Sequence, residues 1–163
     1  MIRDARPATD ADGICDIYNS YVRESHCTFE TEPIDSAEMA RRIDESKKNG
    51  YPFLVCELDG EIAGFAHGHR FRRREAYRHS VEISVYVRPE AQRRKIAARL
   101  YEILLPELRS RGFHAVIAGI ALPNEPSIRL HEKFGFVKVA HFREVGRKFD
   151  RWIDVGHWEL LNN

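Results

Sequence analysis

Residues 81–87, Val-Glu-Ile-Ser-Val-Tyr-Val, alternate strictly in polarity. The chain then passes Pro89 and a basic run, Gln92-Arg93-Arg94-Lys95, and enters a segment with apolar residues at helical spacing. A strand must therefore feed almost directly into a helix, and that join constrains the fold more than any other feature. Period-2 alternation puts Val81, Ile83, Val85 and Val87 on one face and Glu82, Ser84 and Tyr86 on the other. A carboxylate, a hydroxyl and a phenol thus share one face just ahead of a helix N-terminus. Such an N-terminus offers unpaired backbone N–H groups and the positive end of the helix dipole, a natural seat for phosphate. Cations are disfavoured there unless an anion is bound, so three in succession point to one. A phosphorylated cofactor, nucleic acid and a solvated turn remain the three readings of the run.

Bulk properties narrow them. The 163 residues suit one globular domain, and a formal net charge of +1 leaves no global excess to attract a polyanion. The basic run also lacks interleaved aromatic residues, which weighs against nucleic acid. No stretch approaches the roughly 20 apolar residues that cross a bilayer. The charged opening Met-Ile-Arg-Asp-Ala-Arg lacks the apolar segment of a signal peptide. Cys15, Cys27 and Cys56 are odd in number and show no C-x-x-C spacing. No metal, no disulfide framework and no membrane partner are expected, and the thiols suit a cytoplasmic protein.

Along the chain, residues 2–6 read as a strand before Pro7. Thr9-Asp10-Ala11-Asp12 opens a helix with Ile14, Ile17, Tyr18, Tyr21 and Val22 at helical spacing. Residues 29–33 are extended. Asp35 or Ser36 caps a second helix carrying Met39 and Ile43, which ends at Asn49-Gly50. Strands 51–57 and 61–70 flank Asp59-Gly60, a strong hairpin signal. A helix is expected over residues 92–110, with Ile96, Leu100, Ile103 and Leu104 on one side and a kink at Pro106. Residues 113–120 form a nearly continuous apolar run, as in a strand buried on both faces. Asn124-Glu125-Pro126 starts a last helix that Gly135 stops, and strands 136–142 and 152–161 close the chain. The expected fold is α/β, with helices interrupting a mixed, mostly antiparallel sheet in a single domain over 1–163.

The basic turn, Gln92-Arg93-Arg94-Lys95-Ile96-Ala97, resembles the Q/R-x-x-G-x-G/A acyl-CoA pyrophosphate loop of the GNAT superfamily of N-acetyltransferases. Lys95 stands where the middle glycine is usual. With a helical φ it would keep its N–H available and turn its side chain outward. Asn124-Glu125-Pro126-Ser127-Ile128-Arg129-Leu130-His131, continued to Gly135-Phe136, resembles that superfamily's N-x-x-S-x-x-L-Y-x-x-x-G-F segment, with His131 in place of the usual Tyr. The likeness sharpens to the phosphinothricin N-acetyltransferase group through Thr28-Phe29-Glu30-Thr31-Glu32-Pro33, Ala76-Tyr77-Arg78-His79-Ser80-Val81-Glu82, Arg143-Glu144-Val145-Gly146-Arg147-Lys148-Phe149 and Trp152-Ile153-Asp154-Val155-Gly156-His157-Trp158. Several such pieces in order are more specific than any one motif.

The resemblance implies acetyl transfer from acetyl-CoA to the α-amine of a small amino acid, such as phosphinothricin or methionine sulfoximine or sulfone. Chemistry makes the same demand, because an ammonium must lose a proton before it can attack a thioester. Glu82 is the expected base. Backbone N–H groups of Val85, Tyr86 and Val87 are expected to face the thioester carbonyl; the CoA thiolate needs little help, although His131 or Tyr86 could protonate it, and His131 reads equally as a core-facing helix residue. Gln92, Arg93, Arg94, Lys95, Ile96, Ala97 and Ala98, together with Asn124 and Ser127, are the expected cofactor contacts. Arg72, Arg74 and Tyr77 are expected to hold an acceptor carboxylate, phosphinate or sulfone, and Phe29 and Thr31 to approach it from the first loop. Arg73 is read as solvated. Members of the group are usually homodimers, so a homodimer is expected, with the Trp152 and Trp158 tail as core or dimer surface. The rival readings are a GNAT acting on a protein N-terminus or a polyamine, and a non-catalytic acyl-CoA or nucleic-acid binder.

Overall fold

The Asp59-Gly60 pair makes the turn that its chemistry favours. Both residues are left-handed, with φ of 51° and 83°, as a two-residue type I′ hairpin requires. They join β2 (Phe53–Leu58) to β3 (Glu61–Arg70). The computed structural model describes residues 1–162; Asn163, the last residue of the expected domain, lies outside them.

Local signals account for the other elements. Pro7 is not a spacer before the first helix but its first residue: α1 spans Pro7–Glu24, and proline is well suited to a first turn because its missing N–H is not needed there. α2 (Ser36–Lys48) is capped by Asp35, whose carboxylate accepts from the Glu38 N–H at 2.8 Å. The third helix begins later than the expected residue 92, as α3 (Ile96–Ser110), and runs on past the exposed Pro106. Ile103 departs from the expected buried side and is 43% exposed, whereas Ile96, Leu100, Tyr101, Leu104 and Leu108 are buried.

The contacts gather the chain into two compact units, each built from separate segments. The first comprises Met1–Asn19, Ile34–His69 and Ser84–Gly112. In it β1 (Ile2–Asp4) pairs antiparallel with β2, and β2 with β3. Ile14, Ile17, Ile43, Val55 and Phe65 are buried with the inner residues of α3. Arg3 links two acids, donating to Asp10 at 2.6 Å and to Glu57 at 2.9 Å. Burial pushes the Asp10 carboxyl up. Hydrogen bonds from the Arg3 guanidinium, the Arg6 N–H and the Thr9 hydroxyl outweigh this and hold it at about 2.

The second unit comprises Ser20–Pro33, Arg70–Ile83 and Phe113–Asn163. The strand β4 spans Ser80–Val87, and its first residues pair in parallel with β5 (Ala115–Ala121), Glu82 opposite Ile117. β5 pairs antiparallel with β7 (Arg151–Leu161), and β7 with β6 (Val137–Lys148). β6 is longer than its expected span because its register slips between Lys138 and Ala140 and between Phe142 and Gly146. Those bulges break the period-2 signal that would have revealed its second half. α4 (Glu125–Lys133) is capped by Asn124. The result is a mixed α/β fold in which the β4 and β5 pairing is parallel and the other pairs named are antiparallel. Among the described residues no helix is long and apolar enough to cross a membrane, and no cluster of three or more His, Cys, Asp or Glu could hold a metal ion.

Candidate active site

In the first unit, residues 92–95 form the turn ahead of α3. Gln92, Arg93, Arg94 and Lys95 are exposed, Ile96 and Ala98 are buried and Ala97 is half-buried. Lys95 is not helical but left-handed, with φ 59°, and Arg93 is left-handed too, with φ 64°. This corrects the expected helical backbone: the loop follows a glycine-like path with a lysine in it, at about 1–2 kcal/mol for such a residue. Left-handed residues in a turn of this kind build the backbone nests that bind anions. Ile96 anchors the turn. A Cβ on Gly64 would meet Ile96 Cγ2 at 2.9 Å and the Tyr86 carbonyl oxygen at 3.0 Å, so β3, β4 and the start of α3 approach closely only because residue 64 is glycine. The unpaired N–H groups of the first turn of α3, with three cations on the approach, fit a pyrophosphate.

Val85, Tyr86 and Val87 are half-buried in the part of β4 that belongs to this unit. The Tyr86 ring stands edge-on to Tyr18 at 5.3 Å and stacks on Phe65 at 5.2 Å.

In the second unit the key feature is a gap in β5. Val116, Ile117, Ala118, Ile120 and Ala121 are buried, as an apolar central strand should be, but Gly119 is exposed. A Cβ there would stand 3.1 Å from Glu82 Oε1 and 3.5 Å from His157 Nε2. The Glu82 carboxylate from β4 and the His157 imidazole from β7 therefore lie over the same residue on one face. A mid-strand glycine often marks such a close approach. As an apolar run, residues 113–120 conceal Gly119, and in sequence His157 belongs only to a closing strand. The glycine was the available signal; its meaning needs the pairing of Gly119 with His157.

Asn124 serves two local ends. Its side-chain oxygen accepts from the Ser127 N–H at 3.3 Å, and its amide donates to Cys27 Sγ at 3.3 Å. His131 is 3% exposed, with its ring edge-on to Phe136 at 5.2 Å. Its Nδ1 lies 2.8 Å from the Ser127 carbonyl oxygen. An oxygen of that kind only accepts, so the Nδ1 proton is donated and Nε2 is left bare. Burial pushes the imidazolium pKa down against the pull of that carbonyl, which keeps the ring neutral.

The expected acceptor residues also fall in this unit. Arg72 lies over the rings of Phe71, at 5.1 Å, and Tyr77, at 5.6 Å. Arg74 precedes a single 3-10 turn, Glu75–Tyr77, and its carbonyl accepts from the Tyr77 N–H. Arg72, Arg73 and Arg74 are exposed and form no ion pair among the described residues. Arg70, which the sequence did not single out, braces them by donating to the Arg72 and Arg73 carbonyls. Thr31 is exposed, and Phe29 is 42% exposed. The Phe29 ring rests against Gly146, where a Cβ would come within 2.3 Å of it. Lys148, another residue not singled out, is 4% exposed and donates to the carbonyls of Ser25 at 2.7 Å and Thr28 at 2.8 Å. Within the second unit these contacts bring Glu82, Gly119 and His157 together, and join Phe29 to Gly146. Tyr86 and the basic loop belong to the first.

A strand leading into an anion-seating turn, and a carboxylate held over an open glycine, are the parts an acyl-CoA-dependent acyltransferase needs. The acetyltransferase (GNAT) domain model matches residues 2–157. The chain belongs to that family: it is an N-acetyltransferase with acetyl-CoA as its acetyl donor. A phosphinothricin N-acetyltransferase of Streptomyces viridochromogenes is 41% identical over 156 residues, covering 94% of this chain and 85% of the relative. An L-methionine sulfoximine/L-methionine sulfone acetyltransferase of Pseudomonas paraeruginosa is 36% identical over 160 residues, covering 98% and 92%. Among solved structures, a GNAT superfamily phosphinothricin acetyltransferase from Sinorhizobium meliloti, in complex with AcCoA, aligns with a TM-score of 0.94 at 35% identity, covering 99% of this chain and 87% of that one.

Proposed function

We propose that the whole chain acts as one domain that acetylates the α-amine of a small amino acid or analogue, with phosphinothricin and methionine sulfoximine or sulfone as the model acceptors. The observation that carries this reading is the Glu82 carboxylate over the exposed Gly119. Glu82 takes the proton from the acceptor ammonium, directly or through water, and so frees the lone pair for attack. Acetyl-CoA supplies the activated thioester. Residues 92–98 hold its pyrophosphate, so the positive charge of that loop serves phosphate rather than nucleic acid. Asn124 and Ser127 hold the cofactor from α4, and the backbone of Val85 to Val87 faces the thioester carbonyl. Of the two groups expected to return a proton to the thiolate, the His131 tautomer favours Tyr86, because Nε2 of His131 has no proton to give. Arg72, Arg74 and Tyr77 hold the acceptor's far anionic or sulfonyl oxygens, and Phe29 and Thr31 flank it. The names of the two relatives support that choice of acceptor.

A screen of acceptors with acetyl-CoA and a thiol reagent tests the reading. Release of free CoA is expected with phosphinothricin, methionine sulfoximine or methionine sulfone. If none of these is acetylated while a peptide N-terminus or a polyamine is, the acceptor class is wrong. If none of these amines reacts, the acceptor lies outside all three classes.

We also propose a homodimer, in the cytoplasm where the thiols of Cys15, Cys27 and Cys56 stay reduced. The β6–β7 hairpin exposes Val137, Val139, Phe142, Val145, Phe149 and Trp152, more apolar surface than an isolated edge usually leaves open. Sedimentation equilibrium should give twice the chain mass for the wild type and a single chain mass for Val139→Lys. A wild-type monomer would refute the dimer.

A further inference from the structure

We propose that His157 is a specificity-determining residue that donates a hydrogen bond to the acceptor's α-carboxylate, so that the site selects α-amino acids over plain amines. The inference rests on the acetyl-transfer reading above and adds to it a residue that reading leaves unused.

Three observations converge on it. His157 on β7 pairs with Gly119 on β5, and its Nε2 and Glu82 Oε1 both lie within 3.5 Å of the point a Gly119 Cβ would occupy. The two atoms can therefore be no farther apart than twice that distance. The ring is held by Phe142, edge-on at 5.3 Å. Its Nδ1 is buried without a hydrogen-bond partner among the described residues. A buried orphan N–H is rarer than an orphan acceptor, which assigns the ring proton to Nε2, beside the carboxylate.

The chemistry of the acceptor then decides the role. An ammonium bound to Glu82 brings its α-carbon to the same place, and in an α-amino acid the carboxylate hangs from that carbon. A donor next to the base therefore meets a carboxylate oxygen in an amino acid and finds no partner in the corresponding amine. Hydrogen bonds to a charged group are among the stronger ones in proteins, and losing one here is worth about tenfold to a hundredfold in discrimination. The arginines before β4 answer for the other end of the acceptor; His157 answers for the head group.

The test compares methionine sulfone with 3-(methylsulfonyl)propan-1-amine, the same molecule without its carboxylate. Wild type, H157F and H157N are compared in kcat/KM, and in calorimetric affinity for the two ligands with CoA present. Phe keeps the contact with Phe142 but has no donor; Asn retains one. The wild type is expected to prefer the amino acid, and H157F to lose that preference by about tenfold to a hundredfold through a rise in KM for the amino acid, leaving the amine unchanged. H157N should recover part of it. Melting temperatures for both variants identify any loss that comes from misfolding. Equal effects of H157F on both ligands, or none on either, overturn the proposal. Absence of turnover in the wild type with an H157F-sensitive binding preference would overturn the acetyl-transfer reading and support the assignment of His157.

Discussion

Changing Glu82 to Gln should lower kcat for the amino-acid acceptor by about 10²–10⁴, with CoA affinity unchanged. The α-amine of an amino acid is an ammonium at neutral pH and has no lone pair with which to attack a thioester. The group that takes its proton must lie where the amine arrives, and Glu82 Oε1 is held over Gly119, the one exposed residue of a largely buried strand. Gln has nearly the same shape and still accepts a hydrogen bond, so the acceptor should still bind. It cannot carry the proton away. The rate of the variant should then rise with pH as the free amine becomes more abundant. The effect on CoA affinity separates this role from a structural one, because the turn proposed to hold the pyrophosphate is built by Gly64, Ile96 and the left-handed residues before α3. An unchanged kcat in E82Q would give the base to another group.

Much of this was legible in the sequence because it is local. The Asp59-Gly60 turn, the Asp35 and Asn124 caps and the alternation of β4 depend on residues a few positions apart, and so does the cationic run before α3. What was not legible depends on contacts far along the chain. The helix expected from residue 92 puts Lys95 in helical backbone, and left-handed lysine is disfavoured in isolation. Docking of Ile96 against Gly64 accompanies a turn in which it is left-handed all the same. His157 could not be recognised beside Glu82 without the register of β5 and β7, which sets it opposite Gly119. The second half of β6 was hidden by bulges that interrupt its period. His131 reads from sequence equally as a proton donor to the thiolate and as a core-facing helix residue; its burial and its bond to the Ser127 carbonyl favour the second.

Lys148→Met should destabilise the protein by about 3 kcal/mol, a fall in Tm of roughly 6–12 °C for a chain of this size. Lysine is rarely buried without a partner because desolvation of the ammonium is costly. Here burial pushes the Lys148 pKa down, opposed by nearby Cys27 and Glu30, and the ammonium spends its three protons on backbone oxygens. Ser25 and Thr28 accept at 2.7 and 2.8 Å, and Tyr21 at 3.5 Å. The last turn of α1 and the segment after it are thereby tied to the end of β6, more than a hundred positions along the chain. Methionine fills a similar volume but offers those carbonyls no donor in place of the ammonium. The loss should not be confined to stability. Phe29 and Thr31 follow directly on Thr28, and Phe29 is seated on Gly146, two residues before Lys148. Where the variant remains folded, KM for the acceptor should therefore rise several-fold while KM for acetyl-CoA holds, since the bonds of Lys148 go to the segment that carries Phe29 and Thr31. A melting curve and the two KM values decide the matter. A variant as stable as the wild type would mean that water replaces the ammonium, and equal rises in both KM values would mean that the loop carrying Phe29 and Thr31 is not specific to the acceptor.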